Sequence, residues 1–209
     1  MSDDPAAAKR IVEDGYDRVA LRYANLEGEE TWPRMRWVRR VLADLPDGAE
    51  VLDLGCGAGV PVGPEVVKRH RFTCVDISEA QIDLARRNVP GATLLKADLT
   101  AAEFPDASFD AVLSFYAIDH VPREEHAQLF RSMHRWLRPG GRLLISVEAG
   151  DEPAVTGEWL GAPMYFSHFD EETTVDLVRA AGFTVDEAVM EEQWEGDHAV
   201  PYLWLLAAG

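Results

Sequence analysis

Cysteine is scarce in this 209-residue chain, which has only Cys56 and Cys74. Their spacing matches no metal-ligand pattern, and two thiols cannot staple a small secreted scaffold. Both lie in apolar, strand-like surroundings, so buried, reduced thiols and no metal site are expected. Lysine is also rare, and Lys and Arg together number 20 against 37 Asp and Glu, giving a formal net charge of -17. A surface so acidic repels phosphate backbones, which argues against a bulk nucleic-acid partner. No apolar run approaches the roughly 18 residues of a membrane span. The opening "MSDDPAAAKR" is acidic and lacks an apolar signal core, so a cytoplasmic protein without a membrane partner is expected.

What is present is enough apolar sequence, 47% of the chain, for one domain with a sizeable core. Residues 5–26 read as a helix with Ile11, Val12, Tyr16, Val19, Leu21 and Tyr23 at its apolar positions and Gly15 as a weak point. A second helix is expected over 33–44, ended by Pro46-Asp47-Gly48. It carries the one basic cluster, "WPRMRWVRR", with Arg34, Arg36, Arg39 and Arg40 beside Trp32 and Trp37. The plain reading buries Trp37, Val38 and Val41 and leaves the arginines in solvent.

From residue 50 strands and helices alternate. "EVLDL", "RFTCVDI", "ATLLKADL" and "FDAVLSFY" read as buried strands, with Ser78 as the N-cap of a helix ending near Asn88. "REEHAQLFRSMHRWL" is a helix, stopped by Pro139-Gly140-Gly141 before the strand "RLLISVE". This pattern predicts a doubly wound α/β fold, a parallel sheet with helices on both faces. "FTVDEAVMEEQW" and "VPYLWLLA", joined by "GDH", predict an antiparallel pair at the sheet edge. Residues 148–169 show no clear period and read as a long loop, whose Trp159, Met164, Tyr165 and Phe166 favour an ordered pocket wall.

The loop "VLDLGCGAG" ends the first strand of the alternation. In open α/β sheets ligands sit beyond the carboxyl ends of the strands, where glycine lets the backbone turn and a ligand approach. A dinucleotide fingerprint needs G-x-G-x-x-G, but counting from Gly55 or Gly57 the third glycine is replaced by Val60 or Val62. The observed pattern is D-x-G-x-G-x-G, from Asp53 through Gly55 and Gly57 to Gly59. An acid at the strand end suits the ammonium of an amino-acid moiety better than a pyrophosphate, which favours S-adenosylmethionine. Asp76 ends the second strand, where a carboxylate can take both ribose hydroxyls, although it also reads as a helix-capping turn residue. Asp98 ends the third strand, and Ser114 and Phe115 end the fourth.

With these residues the chain resembles the class I S-adenosylmethionine-dependent methyltransferases, in particular the small bacterial group related to menaquinone and ubiquinone methyltransferases. The motifs "VLDLGCGAG", "CVDIS", "KADL", "FDAVLSFYAIDHV" and "LRPGGRLLIS" carry the resemblance over about residues 50–147. It implies a single Rossmann-like domain over 1–209 with a seven-stranded sheet in the order 3-2-1-4-5-7-6 and an antiparallel last strand. Residues 1–46 would form a helical cover, and 148–169 an acceptor-site loop. Asp53, Gly55, Cys56, Gly57 and Gly59 would then surround the methionine part of the cofactor. Asp76 would hold the ribose, Ile77 and Leu99 would flank the adenine, and Asp98 would face its amino group. Gln81, Ser114 and Phe115 join this set, and Tyr16 and Tyr23 would help close it. S-adenosylhomocysteine is the implied product.

Methyl transfer is an in-line displacement at an already activated carbon, so a protein contributes alignment and, for a protonated acceptor, a base. His120, just beyond the fourth strand, is one candidate base, and His168 in "MYFSHF" is a second. Asp119, beside His120, is the third catalytic candidate; each also reads as an ordinary structural residue. His70, His126, His134 and His198 read as surface residues. The aromatic loop favours a hydrophobic or aromatic small-molecule acceptor, in a monomer or homodimer. Three rivals stay open: a methyltransferase for RNA or protein using the arginine cluster, a cofactor binder that does not methylate (a sensor or pericyclic catalyst), and a nicotinamide oxidoreductase.

Overall fold

The computed structural model describes residues 4–27, 33–195 and 198–209. Helices α1 (Pro5–Glu27) and α2 (Arg34–Asp44) come first. The alternation follows as β1 (Glu50–Leu54), α3 (Val62–Val66), β2 (Arg71–Asp76), α4 (Glu79–Asn88), β3 (Thr93–Lys96) and β4 (Phe109–Phe115). A 3-10 turn (Ile118–His120) leads to α5 (Arg123–Trp136) and β5 (Leu137–Glu148). The chain ends with β6 (Glu152–Trp159), β7 (Ala162–His168), α6 (Glu171–Ala180), β8 (Thr184–Glu195) and β9 (His198–Ala208). Among the described residues no helix is long and apolar enough to cross a membrane.

Seven strands form one sheet in the order β3-β2-β1-β4-β5-β9-β8, and β6 pairs with β7 in a separate two-stranded sheet. With that hairpin set aside, the order is the expected one. Strands β1 to β5 run parallel, and β9 runs antiparallel to both of its neighbours. Side chains alternate along β1: Val51 packs with α2 and α3 residues, and Leu52 and Leu54 pack with α5 on the opposite face. Burial on both faces is why the central strands read as nearly continuous apolar runs, whereas β3, also expected to be buried, is largely exposed at the sheet edge. The helix start after β2 is encoded locally, with Ser78 Oγ accepting from the Gln81 N–H at 3.2 Å.

Three expectations need correction. Residues 148–169 are not an irregular loop but mostly the β6–β7 hairpin, with Leu160 and Gly161 at φ 50° and 82° in its turn. Two positive φ values match the right-handed twist of the flanking strands, but Leu-Gly lacks the Asn or Asp that usually marks such a turn. Pro139, Gly140 and Gly141 do not stand between helix and strand; they lie inside β5, which starts at Leu137 and is out of register with β4 until Ala111 meets Arg142. The α2 arginines are not all in solvent. Arg34 is buried with its guanidinium 5.3 Å from the Tyr116 ring centre. Arg36 and Arg40 pair with Glu191 and Glu187 of β8. Trp32 and the turn residues Gly196 and Asp197 lie outside the described residues.

Helix α1 lies across the hairpin. Its Val12, Tyr16, Val19 and Tyr23 pack with Ala162, Met164 and Tyr165. Gly15 is needed for this approach, because a Cβ there would fall 2.7 Å from the Pro163 carbonyl oxygen and 2.9 Å from Met164 Cε. Helix α2 is clamped from the other side by Trp204 of β9, which is fully buried and stacks on Trp37 at 6.0 Å between ring centres. Replacing Trp204 by alanine removes this stack and leaves a cavity, so a loss of about 3–5 kcal/mol is expected. Urea unfolding measures it, and a loss near zero would mean that α2 is held by other contacts.

Candidate cofactor and acceptor site

The carboxyl ends of the central strands open into a cleft under α1. Gly55 turns the chain out of β1 at φ +78°, and a Cβ there would meet Ala117 Cβ at 2.2 Å. The ends of β1 and β4 therefore close up only around a glycine. Gly57 continues the turn, and its N–H donates to Asp76 Oδ2 at 2.8 Å. The Ser78 N–H donates to Asp76 Oδ1 at 2.9 Å. Burial raises the Asp76 pKa to about 6 against these two hydrogen bonds, with the nearby Asp17 adding to the rise. Asp17, on α1, accepts from Ser78 Oγ at 2.6 Å and the Ala80 N–H at 3.1 Å, so the cover caps α4 from outside.

The predicted cofactor residues divide into two groups. Tyr16, Tyr23, Gly55, Gly57, Asp76, Ile77, Asp98, Leu99 and Phe115 line the cleft together. Gly59 does not: its missing Cβ makes room for Val89 Cγ2, 2.7 Å away, and so for α4 against the loop. Asp53 is buried within the sheet, in register with Cys74 and Leu113. Cys56 and Cys74 pack with α2 and α3 in the core beneath the loop, as buried free thiols. Ser114 Oγ donates to the Leu54 carbonyl at 2.8 Å and ties β4 to β1. Gln81 is fully buried, with no hydrogen-bond partner for either amide atom.

Sequence reasoning missed Lys9, Val12, Tyr116, Ala117 and Val121 in the cleft wall. Lys9 Nζ reaches Asp98 at 2.8 Å, and Asp98 also caps its own turn by accepting from the Thr100 N–H at 2.9 Å. The Asp98 carboxylate, expected to face an adenine amino group, thus already accepts from Lys9 and from its own turn. No local signal marks Lys9, which meets Asp98 only through the packing of α1. The residues fit S-adenosylmethionine: Asp76 keeps lone pairs beyond its two backbone bonds for ribose hydroxyls, and Ile77 and Leu99 offer apolar surface for an adenine. The partnerless buried amide of Gln81 adds polar capacity on the adjoining helix.

Beside this cleft lies a cavity of about 480 Å³, and Tyr16, Tyr23, Tyr116 and His120 line both. The Nδ1 of His120 lies 2.8 Å from the Tyr165 carbonyl, which can only accept, so Nδ1 carries the proton. Nε2 is then the acceptor for the Tyr16 hydroxyl at 2.8 Å. Burial lowers the His120 pKa to about 4, so the ring is neutral at physiological pH. All three catalytic candidates line this cavity. His168 donates from Nδ1 to the Gly150 carbonyl at 2.9 Å. Asp119 Oδ1 accepts from the Glu148 N–H at 3.0 Å. Its pKa is raised to about 7, chiefly by burial, with His168 lowering it and Glu148 raising it. His70 and His126, expected at the surface, are buried; His126 bonds the Val121 carbonyl and packs edge-on to Phe169.

The raised Asp76 pKa predicts a pH effect on ligand binding. Affinity for S-adenosylhomocysteine should be flat above about pH 7 and weaken below about pH 6, as the carboxylate protonates. The Asp76→Asn variant should bind weakly with no such slope. Calorimetry between pH 5 and 8 measures both, and a flat wild-type profile would detach Asp76 from the ligand.

Comparison with known proteins adds to this geometry. Residues 51–141 match the model of a methyltransferase domain family. A mouse protein (Mus musculus) named "Probable tRNA methyltransferase 9B" is 33% identical over 155 residues, 71% of this chain and 32% of that protein. The chain thus spans about a third of that relative's length. A Mycolicibacterium smegmatis protein named "Probable S-adenosylmethionine-dependent methyltransferase" is 28% identical over 174 residues, 78% of this chain and 67% of that protein. The crystal structure of Burkholderia thailandensis 1,6-didemethyltoxoflavin-N1-methyltransferase, with its substrate and S-adenosylhomocysteine bound, superposes with a TM-score of 0.77. It is 21% identical, and the match covers 100% of this chain and 91% of that one. Because the family match runs through the residues that build the cleft, on a sheet of the corresponding strand order, the chain belongs to the class I S-adenosylmethionine-dependent methyltransferases.

Proposed function

We propose that this chain binds S-adenosylmethionine in the cleft and transfers its methyl group to a small molecule held in the adjoining cavity. The observation that carries this reading is the shared wall: Tyr16, Tyr23, Tyr116 and His120 face both compartments. A donor carbon and an acceptor atom held on either side of such a wall need no large motion to meet. The bound cofactor supplies a sulfonium methyl that is already electrophilic. The chain's own residues bind, align and exclude water. Asp76 holds the ribose, Ile77 and Leu99 flank the adenine, and α1 with the β6–β7 hairpin covers the reacting centre. His120 presents a neutral lone pair to the Tyr16 hydroxyl, which fixes that hydroxyl at the boundary between the compartments.

A small-molecule acceptor is supported over RNA or protein by the fate of the basic cluster. Arg34 is buried against Tyr116 and Arg36 and Arg40 pair with acids of β8, so within the cluster Arg39 is the exposed arginine outside these contacts, and the arginines do not form a continuous free patch for a phosphate backbone. The net charge of -17 argues the same way. The 1,6-didemethyltoxoflavin-N1-methyltransferase with bound 1,6-didemethyltoxoflavin is the structural precedent.

Calorimetry is the first test. Wild type is expected to bind S-adenosylmethionine and S-adenosylhomocysteine, Asp76→Ala to lose at least tenfold in affinity for both, and NADH not to bind. Binding of NADH alone would overturn the cofactor reading. Binding without S-adenosylhomocysteine release for any small acceptor would favour a non-methylating catalyst or sensor. With a turned-over acceptor in hand, Tyr16→Phe and His120→Ala should each lower kcat by about 10²-fold. The double variant should be no slower than either single one, because both remove one hydrogen bond. Additive losses would separate the two roles.

A further inference from the structure

The acceptor cavity has a charge pattern that its hydrophobic walls do not require. Asp119 is 3% exposed, yet it lines the cavity together with Glu148 and Glu152, and among the described residues the lining contains no lysine or arginine. Asp151, also on this wall, is paired outward with Arg123 at 2.6 Å and so contributes little. The groups facing Asp119 are Glu148 of β5 and His168 of β7. The same cavity is lined by three mutually edge-on or tilted rings: Tyr16 and Tyr23 at 5.4 Å, Tyr16 and Trp159 at 5.7 Å, and Tyr23 and Trp159 at 5.4 Å.

Resting on the cofactor reading above, we propose that the acceptor is an organic amine, cationic in solution, which Asp119 pairs and which is methylated at nitrogen. A carboxylate or phosphate acceptor would meet like charge in a partly desolvated cavity, where repulsion is strongest. A neutral acceptor would leave the buried acid with no partner of opposite charge beyond the neighbouring His168. An ammonium supplies that charge, and the aromatic faces attract it further. The chemistry balances. The ammonium gives one proton to the Asp119 carboxylate, and the freed nitrogen lone pair forms the N–C bond. The S–C bond breaks as that bond forms, its electron pair stays on sulfur, and the positive charge passes to the methylated nitrogen. Burial raises the Asp119 pKa and so makes its carboxylate a better proton acceptor than an exposed aspartate.

The test uses three probes of similar shape: 2-phenylethylamine, 2-phenylethanol and 3-phenylpropionate, with tryptamine and dopamine as larger amines. Each is titrated into the full chain saturated with S-adenosylhomocysteine, and turnover is followed with S-adenosylmethionine. At least one amine is expected to bind ten times more tightly than the alcohol and to gain an N-methyl group, while the carboxylate does not bind. Asp119→Asn, which keeps an oxygen for the Glu148 N–H, should erase the amine preference and keep affinity for S-adenosylhomocysteine within twofold. Equal affinity for amine and alcohol, tighter carboxylate binding, an unchanged preference in Asp119→Asn, or no binding of any amine overturns the proposal. Failure of S-adenosylhomocysteine itself to bind would instead sink the cofactor reading.

Discussion

The site depends on a single imidazole held at both nitrogens. His120 bonds Tyr16, 104 positions earlier on α1, and the Tyr165 carbonyl, 45 positions later on β7. The cover and the hairpin therefore meet over the strand ends through one side chain. Because a carbonyl takes the Nδ1 proton, the tautomer is fixed, and because the ring is buried, it stays neutral. Without that bridge α1 would still pack on the hairpin, but the wall between cleft and cavity would lose its polar anchor.

Around this bridge burial biases several ionisable groups toward their uncharged forms. Asp76 and Asp119 have raised pKa values, so their contribution to stability is present below the ordinary carboxylate value of 3.8 and is lost as pH rises through about 6 and 7. His120 and His126 have lowered values, so theirs is present above 6.5 and is lost as pH falls through about 4. The two sets pull in opposite directions across the same window. Burial is the leading cause in all four, which makes the strand ends a region of stored electrostatic cost. A ligand bearing hydroxyls for Asp76 relieves part of it.

The opposite end of α2 shows what the rest of the charge does. Arg36 and Arg40 reach across to Glu191 and Glu187 of the edge strand, and the Trp37 indole N–H donates to Glu191 at 2.9 Å. A helix early in the chain is thereby fastened to a strand near its end. Exposed ion pairs contribute little individually, so the Trp37–Trp204 stack beneath them provides most of the attachment.

The strand–helix alternation, the Ser78 cap, the glycine loop and the strand-end acids were legible in the sequence, because each rests on periodicity or on short-range backbone geometry; the order of the strands followed only from the family resemblance. The hairpin at 152–168 was not: its turn has a Leu where a turn-forming residue is usual, and β6 is largely exposed, so the alternation carries little apolar contrast. Gly59 and Ser114 share a local pattern with true cleft residues, and only packing assigns one to Val89 and the other to Leu54. Lys9 and Tyr116 had no local mark at all. By itself the sequence determined which residues turn, cap and alternate, since those preferences act over a few bonds. Tertiary structure decided which strand-end side chains face the cleft, which acid is already paired, and which histidine nitrogen holds a proton. Those outcomes depend on partners tens of residues away and on the water that packing removes.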